Sequence, residues 1–251
     1  MLDVRVILLV TASMCFPTLL WADTLNVAVA SNFSYTLKLL AKDFKKQTGH
    51  QLRISSASTG KLYAQIEHGA PFDVFLSADE ARPDLLVKNN KAVAASGYVY
   101  AKGQIVLLSN LASSTSCQDV LSSKALKRLS IANPKTAPYG VAAKQVMEKL
   151  SLWQKLEPRL VRGENIAQAL QFVATKNAQA GFVAKSMLSM GKAIDSACIW
   201  DIPTDMYTPI RQKMVLLIRA KDKSAAHAFF KYIKTPNAKE IIKTTGYDVT
   251  L

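Results

Sequence analysis

Cysteine and histidine are scarce in this chain. Its 251 residues include three of each, Cys15, Cys117 and Cys198 beside His50, His68 and His227, and none stand at C-x-x-C or H-x-x-x-H spacing. A structural zinc site therefore lacks its ligands, and a disulfide framework lacks its bridges. Acidic residues are few as well, 18 against 32 Lys+Arg, which leaves a formal net charge of +14. No internal repeat, low-complexity tract or Ser/Gly linker is visible, which excludes a repeat array and domains strung on a flexible tether. What is abundant is apolar material: 49% of residues are hydrophobic and 20% charged. That excludes disorder for most of the chain and provides for one large domain or two lobes of about 100 residues each.

The N-terminus carries Arg5, an apolar run from Val6 to Leu20 broken only by Thr11, Ser13 and Pro17, and then Trp21-Ala22-Asp23. This reads as a secretory signal peptide over residues 1–22, cut after Ala22. The apolar stretch falls short of the roughly 20 residues that a retained membrane span needs. Export removes Cys15 and leaves Cys117 and Cys198 in an oxidising compartment, so one disulfide is the expectation and two separate buried thiols the alternative. The mature chain keeps its +14, because Asp3 and Arg5 leave together. Its basic residues are scattered through amphipathic helices and are not gathered into a run with interleaved aromatics, which disfavours a nucleic-acid partner. Steering of a small anion, or a merely solvated surface, accounts for the excess.

Beyond the signal, short β-rich runs alternate with helical periods, the pattern of an α/β fold. Strands are expected at Leu25–Ala30, Gln51–Ser55 and Asp73–Ser77. A helix after Ser31-Asn32 is expected to face Leu37, Leu39, Leu40 and Phe44 inward and to end at Gly49; a second helix covers Lys61–His68. Two long strands, Tyr98–Ser109 and Lys213–Arg219, read as crossovers between two lobes. A second set of units follows: strand Arg128–Ala132, a helix opened by Pro138-Tyr139-Gly140, another opened by Glu164–Ile166, and strand Ala180–Ala184. The helical end, Ser224–Thr245, returns to the first lobe. The division is 23–103 with 215–251 for lobe 1 and 104–214 for lobe 2.

In such sheets, ligands sit beyond the carboxyl ends of strands, where helix N-termini present unpaired N–H groups to anions. Four turns carry the right groups: Ser31-Asn32, Ser58-Thr59-Gly60, Tyr139-Gly140 and Asn165-Ile166. Taken singly, each reads better as an ordinary helix start, where a capping Ser, Thr or Asn is worth about 1 kcal/mol without any ligand; recurrence in both halves favours the ligand reading. Ser58-Thr59-Gly60-Lys61 is not a P-loop, since Ser55 stands where the first glycine belongs and Leu62 follows the lysine. Ser58-x-x-Lys61 matches the spacing of a serine acyl-enzyme, but Lys243-Thr244-Thr245-Gly246 carries an extra residue against the K-T-G companion, and no G-x-S-x-G elbow is present. This enzyme reading is the different-class alternative.

Taken together and in order, Val27-Ala28-Val29-Ala30-Ser31-Asn32-Phe33, Ser58-Thr59-Gly60-Lys61-Leu62-Tyr63-Ala64-Gln65-Ile66, Gly69 to Asp79, Asn133-Pro134, Ala137-Pro138-Tyr139-Gly140 and Gly181-Phe182-Val183-Ala184 resemble the periplasmic molybdate-binding proteins of ABC transporters. The likeness spans nearly all of residues 24–251. It implies a type II periplasmic binding protein fold, α/β, with two lobes closing on a tetrahedral oxyanion, molybdate and with it tungstate. It also implies a membrane permease as partner, a monomer, a periplasmic location, no cofactor and no enzymatic activity. The resemblance carries ligand contacts onto Ser31, Asn32, Thr59, Tyr139 and the backbone N–H of Ile166. Where some members place a binding tyrosine, this chain has Ala184, so Tyr139 is the candidate to supply that hydroxyl. A deprotonated dianion only accepts hydrogen bonds, which suits a neutral cradle of donors. Ser31→Ala or Thr59→Ala is expected to weaken binding and leave the fold intact. Sulfate is the competing guest.

Overall fold

A computed structural model describes residues 22–111, 116–189 and 197–249. The signal-peptide reading, residues 1–22, lies outside the described residues except for Ala22. Two five-stranded mixed sheets form the frame, each covered by helices.

The first sheet runs in the order β2 (Gln51–Ala57), β1 (Thr24–Ala30), β3 (Val74–Leu76), β10 (Ile210–Leu216), β4 (Tyr98–Gly103). β1 lies between β2 and β3, parallel to both, with Val27 opposite Ile54 on one side and Val74 on the other. With helices on both faces, Val27 through Ala30 are all buried, which is why this strand reads as a continuous apolar run and not an alternating one. The covering helices are α1 (Ser34–Thr48), α2 (Thr59–Glu67), α3 (Ala81–Lys88), α7 (Ser224–Tyr232) and α8 (Pro236–Thr244). Leu37, Leu40 and Phe44 sit on one face of α1 and are fully buried. Leu39, expected to join them, is 37% exposed, because it lies two residues from Leu37 and points off that stripe. Gly49 takes a left-handed φ of 78° and closes α1 by donating to the Lys45 carbonyl. The C-terminal helices pack on this core through Ala225, Phe229 and Ile242, which join Leu25, Leu37 and Phe44 in one cluster.

The second sheet runs β7 (Leu160–Gly163), β6 (Leu129–Ala132), β8 (Ala180–Ala184), β5 (Ile105–Ser109), β9 (Cys198–Asp201). Its helices are α4 (Pro138–Lys149), the short α5 (Trp153–Leu156) and α6 (Ile166–Ala174). Cys117, in a 3₁₀ turn, is bridged to Cys198 on edge strand β9, with Cα atoms 5.6 Å apart, inside the range a disulfide requires.

The chain passes between the sheets twice. The expected long strand Tyr98–Ser109 is two strands: β4 pairs with β10 through Gly103, and β5 pairs with β8 from Ile105 onward. Only Gln104 separates them. The return runs through residues 202–209, after β9. The second long strand lies at Ile210–Leu216, slightly earlier than the reading at 213–219, and belongs throughout to the first sheet, with a register shift between Gln212 and Lys213. Beyond it the chain makes a 3₁₀ turn at Ile218–Ala220. Among the described residues, no helix is long and apolar enough to cross a membrane.

Candidate functional site

The parallel strands of both sheets aim their carboxyl ends at the seam between the lobes. β1 ends at Ala30 and delivers Ser31 and Asn32; β2 ends at Ala57 and delivers Ser58 and Thr59. From the other lobe, α4 begins at Pro138 and presents Tyr139, and α6 begins at Ile166. All five sequence-nominated residues line one small cavity of about 10 Å³, together with Ser58 and the small or rigid residues Ala30, Ala78, Ala137 and Pro138. None of these lining residues is charged. A wider cleft of about 330 Å³ opens beside it and carries Asp79, Glu80, Arg82 and Arg211. Its charges neutralise one another, Arg82 on Asp79 and Arg211 on Glu80 at 2.8 Å, so it offers no free donor set comparable to the small cavity.

Thr59 is fully buried at the first position of α2, two residues before the helix was expected to begin. Its Oγ1 accepts a hydrogen bond from the main-chain N–H of Ala78 at 3.1 Å. A hydroxyl has one proton to give, and this arrangement leaves that proton for a guest. At α6, Asn165 caps the helix by accepting from the N–H groups of Ala167 (3.0 Å) and Gln168 (3.1 Å). The cap therefore does not take the N–H of Ile166, the first residue of the helix and part of the cavity wall.

Tyr139 is 2% exposed. Burial, reinforced by the neighbouring Tyr247, Tyr100 and Tyr207, pushes its phenol well above the ordinary tyrosine value, against a small opposing effect of the hydrogen bond to Gln212. The group stays an O–H donor. Gln212 is fully buried and donates from Nε2 to the Tyr139 oxygen at 3.5 Å, so the phenolic proton is not consumed by that contact. The tyrosine packs so tightly against the first crossover that a Cβ on Gly103 would run into its hydroxyl, and only glycine fits there.

Asn32 reaches the cavity wall, but its side-chain donors point elsewhere. Its Nδ2 donates to Gln212 Oε1 at 2.8 Å and to the Tyr247 hydroxyl at 3.0 Å. Both amide protons are thereby spent, which leaves its main-chain N–H as the group to offer a guest. Tyr247 in turn accepts from Ser186 Oγ at 2.9 Å and donates to the Asn32 carbonyl at 2.8 Å. The single proton of the Tyr100 hydroxyl is shared between the Ser77 carbonyl (2.9 Å) and Gln212 Oε1 (3.2 Å). This buried layer beneath the cavity, Gln212, Tyr100, Tyr247 and Ser186, escaped the sequence reading. None of its members stands in a recognisable motif, and Gln212 reads as an ordinary polar residue of a strand.

The lobes also touch directly. The Gly60 N–H donates to the Thr136 carbonyl at 2.8 Å, and Lys61 pairs with Glu164 across the seam. The pairing of Lys61 takes away the base that a Ser58 nucleophile needs, and Ser58 Oγ has no hydrogen-bond partner at all.

The profile of the bacterial extracellular solute-binding protein family matches residues 25–248. Among curated relatives, the molybdate-binding protein ModA of Azotobacter vinelandii is 48% identical over 227 residues, covering 90% of each chain. ModA of Rhodobacter capsulatus is 43% identical over 226 residues, covering 90% of this chain and 88% of its own. Among solved structures, the periplasmic molybdate-binding protein of Azotobacter vinelandii superposes with a TM-score of 0.85 at 39% identity, over 90% of this chain and all of that one. The chain belongs to the bacterial extracellular solute-binding protein family, and its relatives at 48% and 43% identity within that family are molybdate-binding proteins.

Proposed function

We propose that this chain captures molybdate, and tungstate with it, outside the cytoplasm and presents it to the membrane permease of an ABC importer. The observation that carries the reading is the convergence of uncharged donors from both lobes on one cavity: Ser31, Thr59 and the Asn32 main chain from the first, Tyr139 and the Ile166 N–H from the second. A fully deprotonated tetrahedral dianion has only acceptors, and a wall without carboxylates suits it. Donors fixed by helix starts and strand ends need little reorganisation on binding. Closure also removes competing water, which strengthens each of these bonds. The guest favours the closed lobes because only there do both sets of donors reach it.

The molybdate-binding relatives and the family membership support the choice of guest and a location outside the cytoplasm; cleavage of a signal peptide near Ala22 belongs to the same reading and rests on the sequence alone. No catalytic role is assigned, and no cofactor beyond the transported oxyanion. The serine acyl-enzyme alternative loses support from the Lys61–Glu164 pair. The chain acts as a monomer in this reading, with no nucleic-acid partner. Calorimetric titration of the mature chain with molybdate, tungstate, sulfate and phosphate tests it. Tight uptake of the first two and weak uptake of the others is the expected result; preference for sulfate or phosphate overturns it.

A further inference from the structure

We propose that Ser58 is an additional hydrogen-bond donor to the bound oxyanion, because its buried, unpartnered hydroxyl lines the cavity in which Ser31, Thr59, Tyr139 and Ile166 meet. The inference rests on the oxyanion reading above and adds a residue to it.

Ser58 precedes the first turn of α2, in extended backbone with φ −68° and ψ 149°. A serine here ordinarily turns its side chain back to accept from the second or third N–H of the helix. In this chain no such capping bond forms. The residue is 2% exposed, so water does not substitute freely for the missing partner. Buried hydroxyls left in this state are uncommon and carry a cost to the folded chain. Three other side-chain atoms among the described residues share the condition, on Glu67, Thr136 and Tyr207, and none of those residues lines the donor cavity. An unsatisfied donor retained in a polar cavity is accounted for if a guest satisfies it. A deprotonated tetrahedral oxyanion fits this requirement, since it accepts and does not donate, and the serine has one proton to give. The neighbouring Thr59 is arranged in the same sense, with its oxygen already accepting from Ala78. The two consecutive hydroxyls then serve one guest from the same helix start.

The test separates a ligand from a cap. Ser58→Ala is prepared beside the unaltered chain, molybdate affinity is measured by calorimetry, and thermal unfolding is followed without ligand. As the loss of a hydrogen bond to a charged acceptor, the variant is expected to bind molybdate about 10- to 100-fold more weakly. Its ligand-free Tm is expected to be unchanged or higher, because an unsatisfied group has been removed. A lowered ligand-free Tm with unchanged affinity marks Ser58 as a cap and overturns the proposal. Equal affinity of variant and unaltered chain overturns it too and leaves the oxyanion reading standing. Failure of the unaltered chain to take up any of the four oxyanions overturns both.

Discussion

Replacing Tyr139 by phenylalanine removes one atom from the cavity wall and little else. The ring is buried at 2% exposure, so its packing against Gly103 and the core of the second lobe survives the change. The hydroxyl's contact with the protein is the bond from Gln212 Nε2 at 3.5 Å, which lies at the long limit of a hydrogen bond. Its loss should cost the ligand-free fold less than about 1 kcal/mol. Toward a dianion the same hydroxyl is a charge-assisted donor inside a closed, water-poor site, worth about 1.5–3 kcal/mol. Affinity should therefore fall by roughly 10- to 150-fold while the thermal midpoint without ligand barely moves. Calorimetry with molybdate, paired with ligand-free thermal unfolding followed by circular dichroism, reads both quantities. A molybdate Kd within about twofold of the unaltered chain would refute the placement of Tyr139 as a donor, and with it the idea that its hydroxyl replaces the one that Ala184 lacks.

Other perturbations address other contacts. Thr59→Ala strips the acceptor from the Ala78 N–H as well as a donor from the guest. It should thus lower ligand-free stability by about 1–3 kcal/mol in addition to weakening binding, whereas Thr59→Ser retains both; an unchanged urea midpoint for the alanine variant counts against the Ala78 bond. The fold is expected to stay intact at this lower stability. Breaking the Cys117–Cys198 bridge opens a loop closed over a separation of 81 residues, for which chain entropy alone gives about 4.5 kcal/mol. Matching urea midpoints with and without reductant would exclude that contribution. Burial raises the phenols of Tyr100, Tyr139 and Tyr247 above their ordinary value. Above about pH 10 the unfolded chain ionises first and holds fewer protons than the native one, so stability should be fully present below that pH and decline above it. Molybdate affinity should stay flat between about pH 7 and 10, since Tyr139 keeps its proton there; a decline beginning near pH 8 contradicts a neutral buried donor.

The strand-and-helix alternation was legible because period and caps are local: β1, α1 with its Gly49 stop, α4 behind Pro138 and α6 behind Asn165 all follow from residues within a turn of themselves. Sheet membership is not local. Tyr98–Ser109 is one β-rich string, and nothing in it records that the partner changes from β10 to β8 at Gln104. The same limit applies to the site. Ser31, Asn32, Thr59, Tyr139 and Ile166 were nominated from turn chemistry and family resemblance, and the fold brings them to one cavity. That the Asn32 amide is spent on Gln212 and Tyr247 depends on contacts 180 and 215 residues away in sequence. Whether a hydroxyl has a partner, as at Thr59, or has none, as at Ser58, is likewise a property of the assembled seam.

The close approach of Tyr139 to Gly103 places one donor almost on the axle of the molecule. Gly103 adjoins Gln104, where the polypeptide first leaves one sheet for the other. Gly60–Thr136 ties the start of α2 to the turn before α4, and Lys61–Glu164 ties it to the turn before α6, so parting the lobes breaks both clasps while the phenol stays packed beside the crossover.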